Sequence, residues 1–170
     1  MYSLSRRIAT RRWRAMALDV AQFLHALRAR RPDRMHEVFE HTADLGLRVR
    51  TQELPQLFVE AGQGLLAMLV ANPDAVRPVE ERRYAIAGQA YDYLLFDWLT
   101  ELLYTFDTER LLLCRFQVTL DDNGLKGVCL GEFIDASRHE MDHEVKAITY
   151  HGLKVESTSQ GWLAEVIVDI

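Results

Sequence analysis

Residues 112–133 read LLCRFQVTLDDNGLKGVCLGEF, and the middle of that stretch decides the fold class. Asp121-Asp122-Asn123-Gly124 separates two apolar-rich runs, and an Asn-Gly pair supplies the two positive-φ positions of a tight hairpin turn. Strands joined so closely are antiparallel. With Asn123-Gly124 as the turn, Asp122 pairs with Leu125 and Cys129 falls opposite Val118. That is four residues along the strand from Cys114, about 13 Å at roughly 3.3 Å per residue. These two cysteines are the only ones in the chain, and a disulfide between them is out of reach at that separation. Reduced thiols and the lack of an apolar signal core point to a cytoplasmic protein.

Upstream of the hairpin the hydrophobic period changes from two to 3.6. Leu57, Phe58, Ala61, Leu65, Met68 and Leu69 recur at helical spacing, with Pro55 suited to the first turn and Asn72-Pro73 to the end, so a helix is expected over 55–70. Leu94, Leu95, Trp98, Leu99, Leu102 and Leu103 mark one face of a second helix over 91–106. Strands are expected at 38–40, 45–49, 83–87, 112–120, 125–133, 145–150, 153–156 and 162–169, separated by turn residues. The result is an α+β fold, a mostly antiparallel sheet with two main helices, in a single compact domain over 35–170. No apolar run approaches the roughly 18 to 20 residues that span a bilayer, so no membrane partner is expected.

The net charge of −5 conceals an asymmetry. Residues 1–34 hold nine Arg against Asp19 and Asp33, a charge of +7, which leaves −12 on residues 35–170. An acidic domain without a basic stripe repels a phosphate backbone, so no direct nucleic-acid contact is expected of it. Phosphate-loop, serine-hydrolase, zinc-protease and paired C-x-x-C signatures are absent from the sequence.

Several residues carry chemistry of their own. His139 and His143 are spaced to share a helix face near His151, which would suit zinc, but the polarity of residues 136–144 favours a solvated loop. Asp44 stands at a tight connection between strands, where it could cap the turn through its own backbone. Asp169 shares a strand face with Leu163, Glu165 and Ile167, opposite the apolar face of Trp162, Ala164, Val166, Val168 and Ile170. An acidic side chain beside a free α-carboxylate calls for a cation or for solvent. Lys146, read alone, is a strand lysine reaching for water.

Three separated motifs tie these residues together: His41-Thr42-Ala43-Asp44, Lys146-Ala147-Ile148-Thr149-Tyr150-His151 and Val168-Asp169-Ile170. With the leucine-rich helix and Gly131-Glu132, they make residues 35–170 resemble the archease family. The resemblance implies a compact α+β domain that is not an enzyme. It implies one divalent cation, Ca2+, Mg2+ or Mn2+, bound by Asp44, Asp169 and the α-carboxylate of Ile170, with Lys146 a further functional residue. Oxygen donors of this kind suit a hard ion. It also implies a partner, the RNA-splicing ligase RtcB, whose guanylylation and multiple turnover such a protein promotes in tRNA splicing and RNA repair. The competing reading is a carboxylate-metal phosphoesterase in which Asp44, Asp169 and Lys146 serve water activation. Residues 1–34, a basic N-terminal extension with an apolar middle, can be read as a targeting segment, a basic arm or upstream sequence from a misplaced start. The last is preferred because the motif pattern begins at Met35.

Overall fold

The computed structural model describes residues 35–170, and the expectations for residues 1–34 lie outside that range. The elements are β1 (His36–His41), β2 (Asp44–Thr51), α1 (Leu54–Leu69), a 3-10 turn (Pro73–Ala75), β3 (Glu80–Ala87), α2 (Tyr91–Glu109), β4 (Leu111–Asp121), β5 (Gly124–Phe133), β6 (Ala147–Ile148), β7 (Lys154–Thr158) and β8 (Gly161–Asp169). Every strand pairing is antiparallel. The strands form two sheets rather than one. In the larger, β2 lies between β1 and β8, and β6 and β7 share the far edge of β8; the smaller runs β3-β5-β4. Each helix touches strands of both sheets, so the helix pair joins the two sheets around one core.

The two predicted helix faces are the buried ones: Leu57, Phe58, Ala61, Leu65, Met68 and Leu69 on α1, and Leu94, Leu95, Trp98, Leu99, Leu102 and Leu103 on α2. Trp98 donates its indole N–H to the Phe58 carbonyl at 2.9 Å and meets Tyr84 and Phe116 edge-on. A bond in so apolar a place matters because an unpaired buried group costs about 1–3 kcal/mol. Helix α2 runs three residues beyond the expected end, since Asp107, Thr108 and Glu109 add a polar turn that the apolar period does not reveal. It stops where Arg110 turns left-handed, φ 55°.

The central hairpin is shifted from its expected register. Asp121 pairs with Gly124 and Phe116 with Cys129. The turn residues are Asp122 and Asn123, neither with positive φ, and it is Gly124 that takes φ 130° as β5 begins. A bulge between Leu113 and Arg115 falls at Cys114. The cysteines are consequently nearer than expected, yet both are free and buried; burial pushes the Cys114 thiol up to about 11 and Cys129 well above its ordinary value.

The five-stranded sheet positions the candidate site. Leu45, Leu47 and Val49 of β2 and Ala164, Val166 and Val168 of β8 point into the core, so the alternate residues occupy the opposite, outer face. There, one cross-strand row is Glu37, Arg48, Glu165 and Lys154. Its charges alternate in sign, with Arg48 and Lys154 both on Glu165 at 2.5 and 2.8 Å. The next row is Phe39, Gly46 and Ile167. The Phe39 ring lies where a side chain at Gly46 would stand.

Candidate metal centre

The third row on that face gathers the motif residues. β1 and β2 are joined through Thr42-Ala43, with Thr42 left-handed at φ 57°, and the turn is closed by pairing of His41 with Asp44. Leu45 pairs with Val168, and one step further along the same register sets Asp44 opposite Asp169. Directly opposed residues of antiparallel strands have Cα atoms about 4.5–5.5 Å apart and side chains on one face. Among the described residues, neither aspartate side chain has a hydrogen bond or ion pair. The turn-capping role considered for Asp44 is therefore not the one it plays. The row continues through Ala147, the partner of Asp169 on β6.

Lys146 closes the other side. Its backbone N–H donates to the Asp169 carbonyl at 2.8 Å, and its Nζ donates to the main-chain oxygen of Ile170 at 2.9 Å. The Ile170 side chain meanwhile packs against the core, as the alternation along β8 requires. Only Ala147 and Ile148 of the expected strand 145–150 pair regularly. Beyond them the segment turns: Thr149 donates through both its N–H and Oγ1 to the Ile167 carbonyl, Tyr150 stacks on Phe96 of α2 at 3.9 Å, and the His151 ring comes to 5.7 Å from that of His41. His41 Nδ1 is the one buried side-chain nitrogen or oxygen among the described residues without a hydrogen-bond partner.

His139 and His143 do not join this site, and the solvated-loop reading fails for one of them. His139 is buried, 5% exposed. Its Nδ1 accepts the Asp135 N–H at 3.0 Å, which puts the ring proton on Nε2, 3.1 Å from Glu132. Arg138 at 2.7 Å, the Arg77 N–H and His139 hold the Glu132 carboxyl down to about 2. This network clips the segment after β5 to the end of α1, where the Met68 and Leu69 carbonyls accept from His143 and Asp142, two of the orphan acceptors every helix end carries. Polarity misled because these groups satisfy one another. His143 stays exposed beside Asp142. Among the described residues no three His, Cys, Asp or Glu side chains converge tightly enough to hold an ion by themselves. A shallow cleft lined by Arg50, Thr51, Gln52 and Trp162 opens at the other end of β2 and β8.

Residues 36–170 match the model of the archease protein family (MTH1598/TM1083). The chain belongs to the archease family. It is 39% identical over 138 residues to the archease of Methanopyrus kandleri, covering 79% of this chain and 98% of that one. To the archease of Sulfurisphaera tokodaii it is 35% identical over 136 residues, covering 79% and 97%. The solution structure of Methanobacterium thermoautotrophicum protein 1598 is 34% identical, with a TM-score of 0.72 over 81% of this chain and 100% of that one. An archease from Thermotoga maritima, described as a possible chaperone, shares the fold at 22% identity and a TM-score of 0.57. No described helix is long and apolar enough to cross a membrane. The motif residues of the archease resemblance thus lie at one end of one sheet. Sequence reasoning passed over His41 as a group in its own right, along with the stacking of Tyr150 and the Glu132 network. For His41 the signal was present, a histidine flanking the same turn as Asp44.

Proposed function

We propose that the protein is an accessory factor that activates the RNA-splicing ligase RtcB, promoting its guanylylation, through a divalent cation held by Asp44, Asp169 and the α-carboxylate of Ile170. The observation that carries the cation is the contrast between two rows of the same sheet face. Glu37, Arg48, Glu165 and Lys154 alternate in sign, whereas continuing the register beyond Leu45 and Val168 brings two acids, Asp44 and Asp169, into one row. Like charges placed directly opposite one another are destabilising, and a hard divalent ion removes that penalty while accepting oxygen donors. Bound there, the ion supplies a fixed positive centre at the end of the sheet. Asp44 and Asp169 bind it, and Lys146 orients the α-carboxylate through its 2.9 Å contact. The charge of −12 on residues 35–170 favours a protein partner over the RNA itself.

The experiment is ligase guanylylation with and without the protein. Wild type should accelerate formation of the guanylylated ligase and Asp44→Asn should not. Equal rates with and without the wild-type protein would remove the proposal. Hydrolysis of a phosphodiester by the protein alone with Mn2+, abolished by Asp44→Asn, would put a phosphoesterase in its place.

A further inference from the structure

Helix α2 buries one face and leaves the other open to water. Its 19 residues include the acids Asp92, Asp97, Glu101, Asp107 and Glu109, and no Lys or Arg. Tyr93, Asp97, Glu101, Tyr104 and Thr108 follow one another at steps of four, four, three and four, so they form a single stripe along the helix. It is about 22 Å long at 1.5 Å per residue, and every member is exposed. Bulky rings are an unusual choice for a face that meets only water. Tyr93 and Tyr104 are 58% and 64% exposed, and Tyr150, also 58% exposed, adds a third ring to the same surface. It stacks on Phe96 at 3.9 Å and lies 6.0 Å from Tyr93. Exposed aromatic surface of this kind marks interaction sites.

The charge on this face is also unspent. On the sheet, Arg48 and Lys154 neutralise Glu165, and Arg82 of β3 reaches Glu109 at the end of α2. Among the described residues, Asp97, Glu101 and Asp107 have no such partner. Asp107 stands in the last turn of α2, which contains no basic residue. There the helix dipole already places negative charge, and a cation is the favoured neighbour.

We propose that this face of α2, anchored by Tyr93, Tyr104 and Tyr150 with Asp97, Glu101 and Asp107 beside them, docks on an arginine-rich surface of the ligase. This rests on the ligase reading given above and adds where the partner sits. An enzyme that joins RNA ends needs a cationic surface to hold the phosphate backbone. Such a surface complements an acidic helix, which in turn repels RNA itself. Arginine suits both halves of the face, since its guanidinium pairs with carboxylates and stacks on tyrosine rings. Tyr150 ties the face to the motif residues. It follows Lys146 by four positions, and its stack on Phe96 pins that segment to α2. A partner seated on α2 is thereby brought against residues 146–151.

Calorimetric titration of the full chain with the ligase, at low and at physiological salt, tests this. The double reversal Asp97→Lys with Glu101→Lys should weaken binding about tenfold or more, and Tyr104→Ala should weaken it where Tyr104→Phe does not. Glu140→Lys makes the same change of charge beside the end of α1, where the Glu140 carbonyl accepts from Ala71, and should bind within about twofold of wild type. Wild-type affinity should fall as salt rises, with little of that dependence left in the double reversal. Circular dichroism should show every variant folded. Undiminished binding by the double reversal, or an equal loss in Glu140→Lys, overturns the assignment. If wild type stimulates guanylylation and the double reversal stimulates it equally, the ligase reading stands and α2 is not the docking face. If wild type neither binds nor stimulates the ligase, both are wrong. A wild-type dimer that the double reversal dissociates, with ligase affinity unchanged, gives the face to a second copy of the chain instead.

Discussion

Lys146, just before β6, holds Ile170, its Nζ 2.9 Å from the main-chain oxygen while its own N–H grips the Asp169 carbonyl at 2.8 Å. One lysine thus fixes both the last regular residue of β8 and the residue that follows. Replacing it by methionine keeps the backbone bond and the length of the side chain but removes the charge. Lys146→Met should fold normally and retain divalent-ion binding, while its stimulation of ligase guanylylation falls sharply. Unchanged stimulation would reduce Lys146 to a structural pin.

Asp44 and Asp169 make an unusual prediction about sign. In EDTA, Asp44→Asn should melt slightly higher than wild type, because it relieves a like-charge pair worth about 0.2–1 kcal/mol. With a saturating divalent ion the order should reverse, since only the wild type gains binding energy in the native state. Melting curves with and without metal decide the matter. A variant that melts lower in EDTA would mean that Asp44 has a structural role in the turn.

The carboxylate at Ile170 can be tested without touching a side chain. Extending the chain beyond Ile170 converts the carboxylate into a neutral amide carbonyl and crowds the Lys146 contact. Metal affinity should fall while the circular dichroism spectrum is preserved. Equal affinity in the extended form would exclude this oxygen as a ligand.

Glu132 governs the acid side of the stability curve. Its carboxyl is held at about 2, against an ordinary 4.5, chiefly by Arg138. A depressed native pKa means stability that is fully present above 4.5 and is lost as pH falls toward 2. Glu132→Gln should therefore lower stability at neutral pH by about 1.5–3 kcal/mol, the range for hydrogen bonds to a charged group. The gap between variant and wild type should narrow between pH 4.5 and 2. Urea titrations at several pH values will reveal a constant gap if this network does not titrate.

The helices were legible because each shows its buried face at helical spacing, and the strands because turn residues bracket them. Pairing was less so. Nothing local tells Leu45 that its partner is Val168, and until that long-range pair is known, Asp44 and Asp169 are two acids far apart in the chain. Motif resemblance supplied the link that spacing could not. The hairpin register slipped because Asn-Gly announces a turn, whereas here Gly124 serves as the first residue of β5. His139 escaped because a polar run looks solvated when its polar groups are in fact spent on one another.

The ring of Phe39 over Gly46 gives the edge strand a ruler. A strand held only by backbone bonds can slide by two residues and keep its facing pattern, but β1 has a bulky plug that fits a single hole on β2. Two residues further on, that same alignment is what sets His41 beside Asp44. Gly46 offers no donor atom to any ion, yet an alanine in its place would evict the plug and leave the edge strand free to misalign. The chemistry at this end of the sheet is therefore guarded by a position whose only contribution is to have no side chain.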